Sequence, residues 1–96
     1  MTGIFGRKKY DTATAQKVCS NEFGDSDFDR LNRGRATTLY RTQRGAYFLL
    51  HETCWQGERD TIDPVDIEEA MDFYEIASRI EMGFAEAFPN VLLEEA

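Results

Sequence analysis

Hydrophobic and polar positions alternate most clearly in the middle of the chain. Two runs rich in β-branched and aromatic residues, 36–42 and 46–52, are separated by a short polar connection that ends at Gly45. Alternation with a period of two is typical of strands, and glycine adopts the left-handed conformation that a tight turn needs. The pattern therefore predicts a β-hairpin with a three-residue loop.

The loop length determines which side chains share a face of this hairpin. It places Tyr40 opposite Phe48 and Thr38 opposite Leu50 on one side. This side is the more uniformly apolar, so we expect it to face the core. The opposite side is mixed, and we expect it either to be covered by the first helix or to be available to a partner; it carries Leu39, Arg41, Tyr47, Leu49 and His51.

Two further segments have the spacing of amphipathic helices. In residues 13–21 the apolar positions recur at i, i+3 and i+4, which predicts a short helix capped by Asp11 or Thr12. A longer stripe follows Asp63 and Pro64, the residue types preferred at a helix start, and it predicts a helix that ends near Gly83. The members of this stripe are Ile67, Ala70, Met71, Tyr74, Ala77 and Ile80.

Shorter β-type runs at residues 7–10 and 61–62 predict a lysine-protected edge strand and a last short strand. With 96 residues, the chain has room for one core. We therefore expect a single α+β domain over 1–96, with flexible ends at 1–8 and 89–96. Its fold is expected to be a small antiparallel sheet of three or four strands with a central hairpin, packed by a short N-terminal helix and a longer acidic C-terminal helix.

Composition places the chain among ordinary globular proteins. With 42% hydrophobic and 30% charged residues, wholesale disorder is excluded. No apolar run approaches the roughly 20 residues of a membrane helix, and the N-terminus lacks the apolar stretch of a signal peptide, so we expect a cytoplasmic protein.

The charge is distributed unevenly. Residues 1–44 contain nine basic and five acidic side chains, whereas residues 45–96 contain two basic and thirteen acidic ones, and the formal net charge is −7. Such asymmetry is typical of an interaction surface, and the acidic total favours a protein partner over a nucleic-acid backbone.

The predicted C-terminal helix carries carboxylates about once per turn, at Glu68, Asp72 and Glu75. Side chains at this spacing stand about 5 to 6 Å apart, which is comparable to the spacing of phosphates along a nucleic acid. The face is either a solvated surface or a decoy for a basic protein groove. Tyr47 and Trp55 are further candidates for partner binding, with Trp55 expected in a loop where it either packs on the core or anchors a partner.

The basic half offers an alternative site. Segment 30–44 combines arginines with nearby tyrosines, a combination that is typical of single-strand nucleic-acid binding. The other interpretation is a solvated edge whose arginines pair with the acidic half. The candidate nucleic-acid-binding residues are Arg33, Arg35, Arg41 and Arg44, with Arg30 in the same segment.

Chemistry of other kinds has little support. Cys19, His51 and Cys54 are too few for a closed zinc site, and nothing indicates an oxyanion hole or an orienting group beside a nucleophile. We therefore expect no metal, no cofactor and no enzymatic activity. Phe84, Phe88 and Leu92 lie four residues apart, so they either dock on the domain or form a homodimer contact.

Five short segments, in order, suggest a family. They are Lys9–Thr12, Leu39–Tyr40–Arg41 followed by Gly45–Leu49, and Ile62–Pro64 before Glu68–Ala70. These segments resemble a family of small proteins encoded on bacterial conjugative elements, plasmids and phages. The resemblance implies an accessory function of a mobile element, such as inhibition of a host defence. With the acidic helix, it leads to the hypothesis of an anti-CRISPR protein that blocks a basic surface of a CRISPR effector complex.

Overall fold

The computed structural model describes residues 1–21, 35–53, 57 and 59–91. This part of the chain forms seven strands and two helices. In chain order they are β1 Thr2–Phe5, β2 Lys8–Asp11, β3 Gln16–Ser20, β4 Arg35–Arg41, β5 Tyr47–Thr53, β6 Thr61–Val65, α1 Ile67–Ile76, β7 Arg79–Ile80 and α2 Phe84–Ala87.

The strands form two antiparallel sheets. Five of them make one sheet in the order β6-β5-β4-β3-β7, and β1 pairs with β2 in a separate hairpin. The expected sheet of three or four strands packed by a long C-terminal helix was therefore wrong. Strands β3 and β7 lie in the two segments for which the sequence predicted helices.

The central hairpin is confirmed with its register. Tyr40 lies opposite Phe48 and Thr38 opposite Leu50 in the β4–β5 pair. The turn is closed by hydrogen bonds from the backbone N–H groups of Gly45 and Ala46 to the carbonyl and hydroxyl oxygens of Thr42, each at 3.0 Å. Gly45 has a φ of 85°, the left-handed value that favours glycine.

The strand predicted at residues 7–10 is present one residue later as β2, and it pairs with β1 in the separate hairpin. Gly6 and Arg7 connect the two strands with φ values of 57° and 65°. Positive φ at both central residues is typical of the two-residue turn whose twist matches a hairpin.

The predicted N-terminal helix was wrong, because residues 16–20 form β3 between β4 and β7. A β-bulge interrupts the β3–β4 register between Lys17 and Cys19. A bulge places two consecutive residues on the same side of a strand, so Val18 and Cys19 are both buried in one cluster. Ala15 packs on the other face, so the i, i+3, i+4 spacing did not mark one helical side.

The C-terminal helix is shorter than predicted at both ends. Pro64 lies in the edge strand β6, and the helix begins after Asp66, whose side chain accepts a hydrogen bond from the Glu69 backbone N–H at 2.8 Å. It ends at Ile76, because the following residues pair with β3 through β7. Gly83, the expected stop, instead precedes α2. The strand predicted at residues 61–62 is confirmed, and it continues to Val65 as β6.

Both faces of the five-stranded sheet are covered. The β1–β2 hairpin covers one face, where Tyr10, Tyr40, Phe48, Leu50 and Ile62 form a buried cluster, as expected for the apolar side of the central hairpin. The helices cover the mixed face. The cluster on that face contains Val18, Cys19, Leu39, Tyr47, Ala70, Met82, Ala87 and Phe88. Within the described residues, neither helix has the length and apolarity that crossing a membrane requires.

Candidate functional site

The exposed side of α1 is the first candidate surface. Ala70 is fully buried against the sheet, and the helical period then directs Glu68, Asp72 and Glu75 to solvent, where all three are exposed. Ile76 follows Asp72 by four residues and is 78% exposed. We call these four residues the acidic face; it combines a line of carboxylates with an apolar side chain at its C-terminal end.

Glu75 does not pair with Arg79, the basic residue four positions further along the chain. The helix ends before Arg79, whose Nε lies 2.9 Å from Oε1 of Glu81 instead. Arg79 therefore forms its ion pair with Glu81. Glu75 therefore contributes its charge to the acidic face without a basic partner from Arg79.

Tyr47 belongs to the core. Its side chain is 6% exposed, its ring stacks on Phe88 with centroids 5.2 Å apart, and its hydroxyl donates to the backbone carbonyl of Ala87 at 2.5 Å. These contacts join β5 to α2. Among the partner-binding candidates whose side chains the structure describes, Glu68, Asp72 and Glu75 are brought together on α1, and Tyr47 lies apart from them.

Several predicted site residues lie outside the part of the chain that the structure describes. They are Arg30, Arg33, Cys54, Trp55 and Leu92. Arg35 is the first residue of β4, and its side chain is likewise not among those that the structure describes. Of the basic segment, the structure thus places the side chains of Arg41 and Arg44.

Arg41 and Arg44 line a cleft at the turn of the central hairpin, together with Lys8 from β2. We call it the basic cleft; its volume is about 450 Å³. Its remaining walls come from β2, the hairpin turn, the start of β5, the end of β6, the start of α1 and the residues after α2. They are Tyr10, Gly45, Ala46, Tyr47, Val65, Asp66, Ile67, Phe88, Pro89 and Asn90. Sequence reasoning missed Lys8, because its position next to the turn depends on how the N-terminal hairpin packs on the sheet.

The cations of the basic cleft form no ion pair within the described part of the chain. Among the described residues, no carboxylate pairs with Lys8, Arg41 or Arg44, and Nε of Arg41 is buried without a hydrogen-bond partner. The acidic residue that lines the cleft is Asp66, and its carboxylate caps α1. The cleft therefore concentrates positive charge in a protein whose net charge is −7.

The reactive residue types lie apart from one another in the described part of the chain. Cys19 is fully buried, and burial raises the pKa of its thiol to about 12, so it stays protonated at neutral pH. His51 Nδ1 lies 3.1 Å from the Thr37 hydroxyl, and its Nε2 lies 3.8 Å from an Asp63 carboxylate oxygen. This row crosses three neighbouring strands at the surface. Among the described residues, no three His, Cys, Asp or Glu side chains converge as a metal site would require.

Phe84 and Phe88 dock on the domain, which is one of the two roles predicted for them. Their ring centroids lie 4.8 Å apart, and the Tyr74 ring meets both edge to face. Phe88 is fully buried. Phe88 therefore stabilises the helical layer from inside. Phe84 is half-buried, so of these two rings it is the one with surface that a second copy of the chain could contact.

A comparison with known proteins finds no matching family model, no matching curated protein and no matching solved structure.

Proposed function

We propose that this protein is a non-enzymatic binding protein that docks its acidic face on a basic surface of a protein partner. The observation that supports this proposal best is the exposure of Glu68, Asp72 and Glu75 on one side of a helix whose opposite side is anchored in the core. A rigid helix presents these carboxylates at fixed spacing, so little ordering entropy is lost on binding.

The energetics favour specificity and rapid association over very high affinity. Two unit charges 4 Å apart attract by about 1 kcal/mol in water and by about 4 kcal/mol near a protein surface. Three such contacts steer encounter and align the partners, while the exposed Ile76 adds an apolar contact at the end of the face. The binding therefore weakens as salt rises.

The partner class follows from the chemistry of the surface and from the resemblance to mobile-element proteins. A groove that binds a nucleic-acid backbone is lined with Lys and Arg, and a line of carboxylates fits it as a substitute for phosphates. In this proposal the protein acts in the cytoplasm of a bacterial host, and the partner is a nucleic-acid-handling complex, with a CRISPR effector as the favoured target.

The test compares two variants with equal changes of charge. The variant Glu68→Lys, Asp72→Lys, Glu75→Lys reverses the acidic face, and the control Asp63→Lys, Glu81→Lys, Glu86→Lys reverses three exposed carboxylates elsewhere. Inhibition of DNA binding is measured for a panel of purified CRISPR effectors at about 50 and 300 mM salt. We expect a loss of inhibition of at least tenfold for the first variant, with little change for the control.

Circular dichroism and thermal melting establish that both variants are folded. Equal inhibition by the wild type and the folded acidic-face variant would overturn the proposed docking surface. Inhibition of no effector in the panel would overturn the anti-CRISPR assignment.

The alternative is a nucleic-acid-binding module that uses Arg33, Arg35, Arg41 and Arg44. One observation favours it, namely that Arg41 and Arg44 line the basic cleft with Lys8. The cleft is a compact concavity, so it suits a small anionic group better than a long backbone.

A further inference from the structure

We propose that the basic cleft binds the phosphate of a mononucleotide-sized ligand between Lys8, Arg41 and Arg44. This site is separate from the acidic face, and it stands or fails independently of the proposed docking function. Its first support is convergence. The three cations come from β2, from the end of β4 and from the turn of the central hairpin, so the fold assembles them in one place.

The second support is that the three cations form no ion pair with a described carboxylate, although Asp66 also lines the cleft and offsets part of their charge. With 18 acidic side chains in the sequence, exposed cations have many opportunities to pair, and Lys9 and Arg79 each approach a carboxylate within 4 Å. Within the described residues, Lys8, Arg41 and Arg44 do not, even though repulsion between like charges opposes their convergence. An anion in the cleft removes this repulsion, and Arg guanidinium groups match the geometry of phosphate oxygens.

Helix α1 adds to the attraction for an anion. Its first residue, Ile67, lies in the wall of the cleft, and the helix has ten residues. The N-terminal end of a helix carries a partial positive charge that attracts anions, and at this helix end the Asp66 carboxylate already accepts the Glu69 N–H and offsets part of that charge. Here the helix end supplements the three side-chain cations.

The size and the apolar walls indicate more than inorganic phosphate. A volume of about 450 Å³ lies in the lower part of the range of about 300 to 1,000 Å³ that is typical of small-ligand sites. Ile67 is 38% exposed and Pro89 is also exposed, so both offer apolar surface to a base or sugar beside the phosphate. A mononucleotide has both parts, a phosphate for the cations and a planar group for the apolar wall.

The experiment titrates the full-length protein with AMP, inorganic phosphate, adenosine and a short single-stranded DNA, by calorimetry and by amide chemical shifts. We expect saturable AMP binding with shifts near the central hairpin turn and the start of α1. We expect AMP to bind about tenfold more tightly than phosphate or adenosine, because each contains only part of the recognised group. Loss of one phosphate-binding arginine reduces AMP affinity by about tenfold or more.

The key variant is Arg44→Gln, because Arg44 is exposed in the turn and we expect its replacement to preserve the fold. The matched control is Arg59→Gln, which removes the same charge from an exposed position outside the cleft. Arg41→Gln is the second variant, with thermal melting to establish that it is folded. We expect the two cleft variants to lose AMP binding and the control to retain it.

Four results would overturn the proposal. They are no saturable binding of AMP at millimolar concentration, equal loss of affinity in Arg44→Gln and Arg59→Gln, equal affinity for AMP and inorganic phosphate, and much tighter binding of the single-stranded DNA than of AMP. The last result would instead support the nucleic-acid alternative.

Discussion

The Tyr47 side chain connects the sheet to the helical layer. Its ring stacks on Phe88, and its hydroxyl donates to a backbone carbonyl of α2, so one side chain combines aromatic packing with a buried hydrogen bond. The Ala87 carbonyl that accepts this bond belongs to a fully buried residue. Buried polar groups of this kind are costly to leave without a partner.

We expect Tyr47→Phe to lower the free energy of unfolding by about 1 to 2 kcal/mol, because it leaves the Ala87 carbonyl without its donor. Urea denaturation monitored by fluorescence measures this change. The matched control is Tyr10→Phe, which removes a hydroxyl from another nearly buried ring for which the structure gives no hydrogen bond. Unchanged stability of Tyr47→Phe together with weaker partner binding would show that Tyr47 acts at an interface instead.

Cys19 gives a pH-dependent contribution to stability. In the unfolded chain its thiol ionises near pH 9, whereas burial raises the pKa of the folded-state thiol to about 12. Above pH 9 the unfolded state has lost a proton that the folded state retains. The contribution is therefore complete below pH 9 and is lost as pH rises toward 12, by up to about 1.4 kcal/mol per pH unit.

We expect a Cys54→Ala protein, in which Cys19 is the remaining thiol, to resist alkylation by iodoacetamide at pH 8 until it is unfolded in urea. Between pH 8 and pH 10 its free energy of unfolding falls by about 1 kcal/mol more than that of the double variant Cys19→Ala, Cys54→Ala. Rapid alkylation of the folded protein, or equal pH dependence in the two variants, would contradict the burial of Cys19.

At the scale of elements, local patterns predicted the structure where the partner of a strand is its neighbour in sequence. The central hairpin was predicted with its register because the turn and the alternation of side chains are both local. β3 was not, because its bulge places Val18 and Cys19 side by side and so imitates a helical spacing. No local feature distinguishes a bulged strand from a short amphipathic helix.

The end of α1 depends on the same non-local pairing. Ser78 donates a backbone hydrogen bond to the Ser20 carbonyl, and Glu81 and Met82 donate to that of Val18. These bonds satisfy backbone carbonyl groups at the edge of β3, and this pairing outweighs the helix continuation that the apolar stripe predicts.

The carboxylates of the acidic face were predictable, because the exposed side of a helix lies opposite its apolar stripe. The basic cleft was not, since Lys8 reaches Arg41 and Arg44 only through the packing of two sheets.

At the scale of the whole molecule, the five-stranded sheet is buried on both faces, and the two covers differ in extent. The helical layer contributes Ala70, Ala87 and Phe88 to its cluster, all fully buried. The β1–β2 hairpin contributes Tyr10, whose ring meets Phe48 edge to face at 5.7 Å. We therefore expect the β1–β2 hairpin to unfold locally more easily than the helical layer.

This asymmetry predicts local opening when Tyr10 is truncated. We expect Tyr10→Ala to remove about 2 to 4 kcal/mol, because it deletes the buried aromatic contact of the β1–β2 hairpin. Hydrogen exchange followed by mass spectrometry is expected to show faster exchange in β1 and β2, while β4 and β5 remain protected.

The matched control is Ile4→Ala in the same hairpin. Ile4 is 73% exposed, so its truncation changes stability by less than about 0.5 kcal/mol. If β4 and β5 lose protection in step with β1 and β2, the hairpin is an integral part of one cooperative core. It would then not be a separable cover, and the basic cleft that it lines through Lys8 would persist only as long as the whole sheet is folded.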